Sequence, residues 1–137
     1  MNNNDIILIT GSVMTSNSES VDTYNKIISI IGETDYKVLS PIDTMKFNGS
    51  DEERYDRAMN VLDETKIMIA EMSNVSTGQG MEIQKANMLN IPILVIAKNG
   101  SKISGLVKGC KNVKDIIYYD DVNDIKERLT EFIREVI

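Results

Sequence analysis

A short segment in the middle of the chain, STGQGME at residues 76–82, combines residue types that can bind a phosphorylated sugar and attack it. Gly78 and Gly80 permit positive φ angles and let a ligand approach the backbone closely. Backbone N–H groups at the start of a following helix favour an anion such as phosphate. Glu82 is predicted to lie in the first turn of that helix, where the helix dipole favours an ionised carboxylate. Beside a sugar, such a carboxylate can act as a nucleophile or stabilise positive charge at the anomeric carbon.

The same pattern also has a purely structural interpretation. Glycine before a helix and glutamate in its first turn are common in ordinary helix capping. A second segment of small residues, TGS at residues 10–12, follows an apolar run. It contains neither G-x-G-x-x-G nor a Walker lysine, so the usual dinucleotide and nucleoside triphosphate motifs are missing. The position of both segments in the fold has to decide between the two interpretations.

Five short apolar runs, rich in Ile, Leu and Val, are typical of strands buried on both faces. They lie at residues 5–10, 36–40, 66–72, 91–97 and 115–119. Helical patterns alternate with them, which predicts one α/β domain over residues 1–137 with a doubly wound, five-stranded parallel sheet of the flavodoxin or Rossmann type. In such a sheet the first and third strands are neighbours, and ligands bind at their carboxyl ends. We therefore expect segments 10–12 and 76–82 to converge there.

Two local features complete the prediction of the elements. The first helix is expected to begin behind a cap at Ser18 or Ser20 and to stop at Gly32. Residues 42–54 have the weakest pattern of the chain and are interpreted as a candidate mobile flap.

Composition excludes several classes of function. The net charge is -6 and no basic cluster occurs, so a nucleic acid polymer is not an expected partner. Histidine is absent and Cys110 is the single cysteine, which excludes an internal disulfide, the usual Cys/His zinc sites and an imidazole base. Cys110 is interpreted as an incidental loop thiol. Catalysis would have to use carboxylates and hydroxyls, and it requires no metal or cofactor.

The chain carries no pattern typical of membrane insertion. The start, MNNNDIILIT, lacks a basic leader followed by a long apolar stretch. No run approaches the roughly 18 apolar residues that span a bilayer. We expect a cytoplasmic protein that acts on a small molecule.

Taken in order, these features resemble the nucleoside 2-deoxyribosyltransferase-like proteins, and within them the 2'-deoxynucleoside 5'-phosphate N-hydrolases. The resemblance spans residues 5–109. It rests on GS at Gly11 and Ser12, IAEMS at 69–73, the S-x-G-x-G-x-E signature at Ser76, Gly78, Gly80 and Glu82, NIPILVI at 90–96 and SGLVKG at 104–109.

The resemblance implies a mechanism and a set of site residues. Glu82 would attack the anomeric carbon and displace the base, and water or a second base would resolve the covalent intermediate. Substrate-binding roles are implied for Gly11, Ser12, Ser76, Gly78 and Gly80. A homodimer is also implied, in which Ser104 reaches into the neighbouring subunit's site.

The chain departs from the family pattern at three places. The tyrosine on the first strand is replaced by Leu8, the arginine after GS by Val13 and Met14, and the aspartate before the third strand by Ala58. The missing arginine weakens recognition of a 5'-phosphate. The missing aspartate removes the group that would protonate or hold the leaving base, which affects the rate of base departure.

Three other carboxylates lie in segments near the predicted site. Asp56 is two residues from Ala58, about 200° round the helix, and is predicted as the substitute catalytic acid. Asp43 is the alternative. Glu71, near the end of the third strand, is interpreted as a structural or site-supporting residue.

The sequence thus favours cleavage of an N-glycosidic bond, with hydrolysis of a nucleoside 5'-monophosphate as the leading prediction. Transfer of deoxyribose to a second base is an alternative. A non-catalytic nucleotide-binding module is another, since three family residues are replaced. A phosphoribohydrolase of the lysine-decarboxylase-like group is not favoured, because its motif has adjacent glycines and TGQG does not.

Overall fold

Strands and helices alternate along the chain in the computed structural model, which describes residues 5–12, 17–32 and 34–137. The strands are β1 (Ile6–Thr10), β2 (Lys37–Leu39), β3 (Thr65–Glu71), β4 (Ile93–Lys98) and β5 (Val113–Tyr119). The helices are α1 (Ser18–Ile31), α2 (Pro41–Lys46), α3 (Asp51–Asp63), α4 (Thr77–Met88), α5 (Gly105–Lys108) and α6 (Lys126–Val136), and a 3-10 turn, Val122–Ile125, precedes α6. The five predicted strands are confirmed, with ends that differ by one or two residues.

All five strands form one parallel sheet in the order β2-β1-β3-β4-β5. The predicted α/β class and the flavodoxin-like winding are therefore confirmed. β1 lies between β2 and β3, so the chain changes its direction of winding beside β1. Thr10 pairs with Ala70, which places the carboxyl ends of β1 and β3 at the same edge of the sheet.

Helices cover both faces of the sheet, as alternating strands and right-handed crossovers require. On one face, α1 and α6 pack on alternate residues of the strands, including Ile7, Ile69 and Leu94. On the other face, α3, α4 and α5 pack on the residues between them, including Leu8 and Met68. The second face is the one that carries Glu82, because α4 lies there.

Burial separates the central strands from the edge strands. β1, β3 and β4 are buried along almost their whole length. β2 and β5 have only one neighbouring strand each, and several of their side chains are exposed. The prediction that all five strands are buried on both faces is therefore wrong for the two edges.

Residues 42–54 are mostly helical, and two capping boxes start these helices. Ser40 and Asp43 form a capping box, and Pro41 occupies the first turn, which starts α2. Ser50 and Glu53 form a second capping box at the start of α3. The weak apolar pattern concealed α2 and the first turn of α3, because capping boxes mark where these helices start.

The start of α1 also differs from the prediction. Asn17, not Ser18 or Ser20, is the N-cap, and its side chain accepts a hydrogen bond of 2.9 Å from the backbone N–H of Ser20. Gly32 is the C-cap, as predicted, although its φ of -58° is right-handed.

Within the described ranges, every helix is too short or too polar to cross a membrane.

Candidate functional site

A cleft opens on the α3 and α4 face of the sheet, beside the carboxyl end of β1. We call it the α3–α4 cleft. Its walls come from β1, from the β2–α2 connection with α2 and its C-cap, from α3, and from one residue of α4. The lining residues are Leu8, Ile9, Thr10, Gly11, Leu39, Ser40, Pro41, Thr44, Phe47, Arg54, Arg57, Ala58, Val61 and Glu82. Its volume is about 70 Å³, smaller than typical ligand pockets of roughly 300 Å³ or more. A nucleotide would therefore have to displace side chains or extend out of the cleft.

Helix α4 carries the predicted signature, but it begins earlier than expected. Ser76 is its N-cap, and the Ser76 hydroxyl accepts a hydrogen bond of 3.2 Å from the backbone N–H of Gln79. Gly78 and Gly80 lie inside the first helical turns, and neither uses the positive φ that glycine permits. In the described chain, positive φ angles occur at Asn90 and Gly100.

Gly78 and Gly80 retain the other property that was predicted for them. A methyl group at either position would meet no atom within 4 Å. The space beside the start of α4 is therefore open for a ligand to approach the backbone. The N–H groups of this first turn have no carbonyl of their own helix to bind, which suits an anion.

Glu82 lies in the second turn of α4, not in the first, because the helix starts at Thr77. Its half-buried carboxylate faces the α3–α4 cleft. Burial raises the pKa of Glu82 to about 7, and the nearby positive charge of Arg57 opposes the rise. Desolvation thus outweighs the favourable charges at Glu82, and the helix dipole acts mainly within the first turn, which Glu82 has passed.

The sequence prediction missed two arginines and an aromatic ring. Arg54 and Arg57 are one turn apart on α3, and both line the α3–α4 cleft with Phe47. The carbon atom at the centre of the Arg57 guanidinium lies 5.3 Å from the centroid of the Phe47 ring, and that of Arg54 lies 6.0 Å from it. Both contacts are within the range of a cation–π interaction. The spacing of arginines at i and i+3 was the available signal.

Gln79 is a second residue that the sequence prediction missed. Its side chain is 1% exposed, and its Nε2 donates to Thr10 Oγ1 at 3.1 Å and to the carbonyl oxygen of Glu71 at 2.9 Å. The ends of β1 and β3 are therefore tied to the start of α4. Oε1 of Gln79 is buried without a hydrogen-bond partner among the described residues.

Gly11 and Ser12 follow β1 at the edge of the cleft. Ser12 is buried, and its carbonyl oxygen accepts a hydrogen bond of 2.9 Å from the hydroxyl of Tyr24. Gly11 lines the cleft, and the Tyr24 ring packs so closely against it that a methyl group would lie 2.8 Å from ring carbons. Glycine is therefore needed here for packing. Val13 and Met14, which replace the arginine of the family, lie outside the described residues.

The remaining predicted binding residues line a separate groove on the other side of α4, which we call the α4–α5 groove. It has a volume of about 570 Å³. Ser76, Gly80 and Ser104 line it together with a larger set of mainly apolar residues: Met72, Asn74, Val75, Ile83, Gln84, Lys102, Ile103, Leu106, Val107 and Cys110. Ser104 is the N-cap of α5, and its hydroxyl accepts a hydrogen bond of 3.2 Å from the N–H of Leu106. The structure thus divides the predicted site into two parts.

The candidate acids do not lie in the α3–α4 cleft. Asp56 is on the exposed side of α3, while Ala58 lines the cleft. Asp43 accepts a hydrogen bond of 2.9 Å from the N–H of Ser40 in the capping box. Neither carboxylate is brought next to Glu82, so the prediction of Asp56 as a catalytic residue gains no geometric support.

Glu71 is buried on the opposite face of the sheet, where hydrogen bonds from neighbouring residues hold its carboxylate. Its carboxylate accepts hydrogen bonds of 2.8 Å from both the N–H and the hydroxyl of Ser73, and one from the hydroxyl of Tyr119. Burial, together with the Glu71 charge, raises the pKa of Tyr119 well above its ordinary value, so this phenol remains protonated and donates. The hydrogen bonds favour the structural interpretation of Glu71.

The described part of the chain contains no group of three or more Asp, Glu, Cys or His side chains that could hold a metal ion. Cys110 is partly buried after α5, where its thiol contacts the carbonyl oxygen of Leu106 at 3.4 Å.

The strand order and the helices on both faces of the sheet define a fold class. The chain has the nucleoside 2-deoxyribosyltransferase-like fold, as its sequence indicated. The CMP N-glycosidase of Clostridium botulinum superposes with a TM-score of 0.71 and 16% identity, over 92% of this chain and 98% of that one. A 2-deoxyribosyltransferase from Bacillus psychrosaccharolyticus superposes with a TM-score of 0.66 and 19% identity, over 88% and 90%.

Sequence comparison leads to a narrower group of relatives. A protein of Methanosarcina barkeri, provisionally named 2'-deoxynucleoside 5'-phosphate N-hydrolase 1, is 29% identical over 134 residues, which is 93% of this chain and 84% of the relative. No protein-family profile matches the chain. The Methanosarcina relative is named as a 2'-deoxynucleoside 5'-phosphate N-hydrolase, and the two similar structures are named as an N-glycosidase and a 2-deoxyribosyltransferase.

Proposed function

We propose that this protein hydrolyses the N-glycosidic bond of a nucleoside 5'-monophosphate, with Glu82 as the nucleophile. The observation that carries the proposal is that, among the described residues, Glu82 is the one carboxylate that lines the α3–α4 cleft. Its position beside Thr10 and Gly11 at the switch point is where this fold class binds ligands. The names of the relatives support the same reaction.

The proposed reaction has two steps. An oxygen of ionised Glu82 forms a bond to the anomeric carbon, the bond from that carbon to the base breaks, and its electron pair leaves with the base. Water then attacks the same carbon and releases Glu82. Each step inverts the anomeric centre, so the overall configuration is retained.

The phosphate is proposed to bind at the start of α4. Gly78 supplies an open backbone there, and Ser76, which borders the α4–α5 groove, supplies a hydroxyl that also caps the helix. The first residues of α4 carry N–H groups that have no carbonyl partner in their own helix, which suits an anion. Ser12 follows β1 at the same edge of the sheet. Gly80 and Ser104 line the α4–α5 groove, and helix α4 lies between this groove and Glu82. These two residues therefore need a different role.

We place that role in a homodimer formed through the α4–α5 groove. Val75 and Leu106, which line the groove, are 93% and 87% exposed, an unusual exposure for apolar side chains that lie together. A second copy seated there would cover them. Ser104 of one chain would then be available to the site of the other, as the resemblance implies.

The activity is tested by incubating the purified protein with a panel of deoxynucleosides, ribonucleosides and their 5'-monophosphates. Release of free base is followed by chromatography. We expect release from monophosphates, and a loss of about 10³-fold or more in Glu82→Gln, because the isosteric amide cannot form the intermediate. Glu131→Gln, an exposed substitution of the same type on α6, is the control and should remain fully active.

Adding a second free base distinguishes hydrolysis from transfer. A new nucleoside or nucleotide would assign the protein as a deoxyribosyltransferase. Binding of monophosphates without release of base would instead assign a nucleotide-binding module. The described lining of the cleft has no second acid to protonate the base, which would explain such a result. Full activity of Glu82→Gln would contradict the proposed nucleophile.

A further inference from the structure

The α3–α4 cleft contains cations where a general acid would be expected. Arg54 and Arg57 line it, and the one carboxylate among its described lining residues is Glu82. If Glu82 attacks the sugar, no second acidic side chain in this lining remains to protonate the departing base. An arginine cannot supply the proton, because its pKa lies above about 12. The base therefore has to be stabilised in another way.

The two guanidinium groups are suited to bind a planar ring. The centroid of the Phe47 ring lies 5.3 Å from the central guanidinium carbon of Arg57 and 6.0 Å from that of Arg54. A guanidinium that contacts a ring through its face keeps its N–H edges for hydrogen bonds. Neither side chain forms an ion pair or a hydrogen bond within the part of the chain that the structure describes. Their donors are thus open to a ligand.

Arg57 and Glu82 line the same cleft and interact electrostatically. Arg57 is half-buried on α3, and α3 packs along α4, which carries Glu82. The charge of Arg57 is felt at the Glu82 carboxylate without direct ion-pair contact between them. A sugar bonded to Glu82 would therefore have its base close to the guanidinium groups.

We propose that Arg57, with Arg54 beside it, binds the edge of the base and thereby selects bases that present two adjacent hydrogen-bond acceptors. This inference rests on the proposed function. The guanidinium fork offers two parallel donors. Guanine presents O6 and N7 to such a fork, and cytosine presents O2 and N3. Adenine and thymine have no such pair of adjacent acceptors: the N6 amino group of adenine lies beside N1 and N7, and the N3–H of thymine lies beside O2 and O4. They therefore pair poorly with two parallel donors.

The same contact balances the charge of the first step. As Glu82 bonds to the anomeric carbon, the electron pair of the broken bond moves to the base, which leaves as an anion. The negative charge moves from Glu82 to the base, and the Arg57 guanidinium in the same cleft stabilises the charge that develops on the base. Water then attacks the intermediate, and the proton that it loses neutralises the base. Nucleotide and water are converted to base and sugar phosphate.

The experiment compares dGMP and dCMP with dAMP and dTMP. We expect kcat/KM to be about 10- to 100-fold higher for the first pair, which is the discrimination that one bidentate contact provides. In Arg57→Gln the preference for dGMP over dAMP should fall to near one or invert, because glutamine pairs with N6 and N7 of adenine. Arg57→Lys keeps the charge but loses the fork, so it should lose the preference as well.

A matched control and a second readout make the result decisive. Arg134→Gln changes an exposed arginine on α6 and should keep the wild-type preference. Thermal shifts with the same four nucleotides report base selection without turnover. If no nucleotide releases its base, the proposed activity fails, and larger shifts with dGMP and dCMP that vanish in Arg57→Gln would still support selection by Arg57. Equal rates or shifts for all four, or an unchanged preference in Arg57→Gln, would overturn the inference.

Discussion

Gln79, in the first turn of α4, donates a hydrogen bond of 3.1 Å from Nε2 to Oγ1 of Thr10 at the end of β1. The same nitrogen donates to the carbonyl oxygen of Glu71 at the end of β3. One buried amide thus holds the helix that carries Glu82 against both strands of the switch point. The position of Glu82 relative to the cleft depends on this contact, although Gln79 itself does not line the cleft.

Replacing Gln79 by alanine should therefore destabilise the protein and lower its activity. We expect a loss of about 1–3 kcal/mol in the free energy of unfolding, because two buried hydrogen bonds are removed, partly offset by removal of the unpaired Oε1. Urea denaturation measures this loss. Asn60→Ala, an exposed amide on α3, is the control and should change the free energy by less than about 0.5 kcal/mol. Equal stability of the two variants would contradict the role of Gln79.

Glu82 should make the protein less stable as the pH rises. Burial raises its pKa to about 7 in the folded chain from 4.5, so the folded state binds more protons between these values. Stability is therefore lost progressively from about pH 4.5 to pH 7 and stays lower above that. At pH 8, Glu82→Gln should be more stable than the wild type by about 1–3 kcal/mol, since a tenfold change in proton affinity between the folded and unfolded chain corresponds to about 1.4 kcal/mol.

This effect is measured by denaturation of both proteins at pH 4 and pH 8. At pH 4, where Glu82 is protonated, the advantage of the amide should be small. An advantage that does not change with pH would show that the carboxylate is not desolvated in the folded chain.

Activity should have an acidic limb near neutral pH. A nucleophilic carboxylate has to be ionised, and the pKa of Glu82 in the free protein is about 7. We expect kcat/KM to fall below this pH. Arg57 lowers that pKa, so its removal in Arg57→Gln should move the limb to higher pH. Rates measured from about pH 5 to pH 9 on one substrate test this. If the apparent pKa of the acidic limb is the same in Arg57→Gln and the wild type, Arg57 does not affect the ionisation of Glu82.

Gly11 and Gly78 should respond oppositely to alanine. At Gly11 the new methyl group would lie 2.8 Å from ring carbons of buried Tyr24, which would have to move and lose its hydrogen bond to Ser12. We expect a destabilisation of about 1–3 kcal/mol or more. At Gly78, which is helical and has open space around it, alanine should stabilise by up to about 1 kcal/mol.

Gly78→Ala should nevertheless bind nucleotides less well. A methyl group would occupy the space through which a phosphate reaches the start of α4, so KM for monophosphates should increase while KM for nucleosides changes less. Steady-state kinetics on a matched nucleoside and monophosphate measures this difference. An unchanged KM for the monophosphate would show that the phosphate does not bind beside Gly78.

Leu106→Asp should prevent association of two copies. The side chain is 87% exposed and flanks the α4–α5 groove, so a charge there would be buried in the proposed interface. Sedimentation velocity should show a dimer for the wild type and a monomer for the variant, with unfolding of the monomer little affected. Tyr118→Asp, a 40% exposed residue on edge strand β5, is the control and should leave the dimer intact. A wild-type monomer would contradict the dimer and the role of Ser104 across it.

Much of the fold was predictable because it depends on local patterns and general connection rules. Apolar runs marked the strands within two residues, and their alternation with helices predicted a parallel sheet with β1 beside β3. Helix α2 and the first turn of α3 were missed because capping boxes start them: Ser40 with Asp43, and Ser50 with Glu53. Glu82 was correctly placed near the end of β1, since topology alone brings α4 there.

The sequence by itself determined the order of the layers and the neighbourhood of Glu82, because both follow from periodicity along the chain and the handedness of its connections. Only the tertiary structure decided which side chains share the cleft. It placed Arg57 and Phe47 there instead of Asp56, separated Ser104 from Glu82 by the width of α4, and surrounded Glu82 with enough protein to raise its pKa. These outcomes depend on how helices from distant segments pack together, and desolvation arises from that packing, which no local spacing encodes.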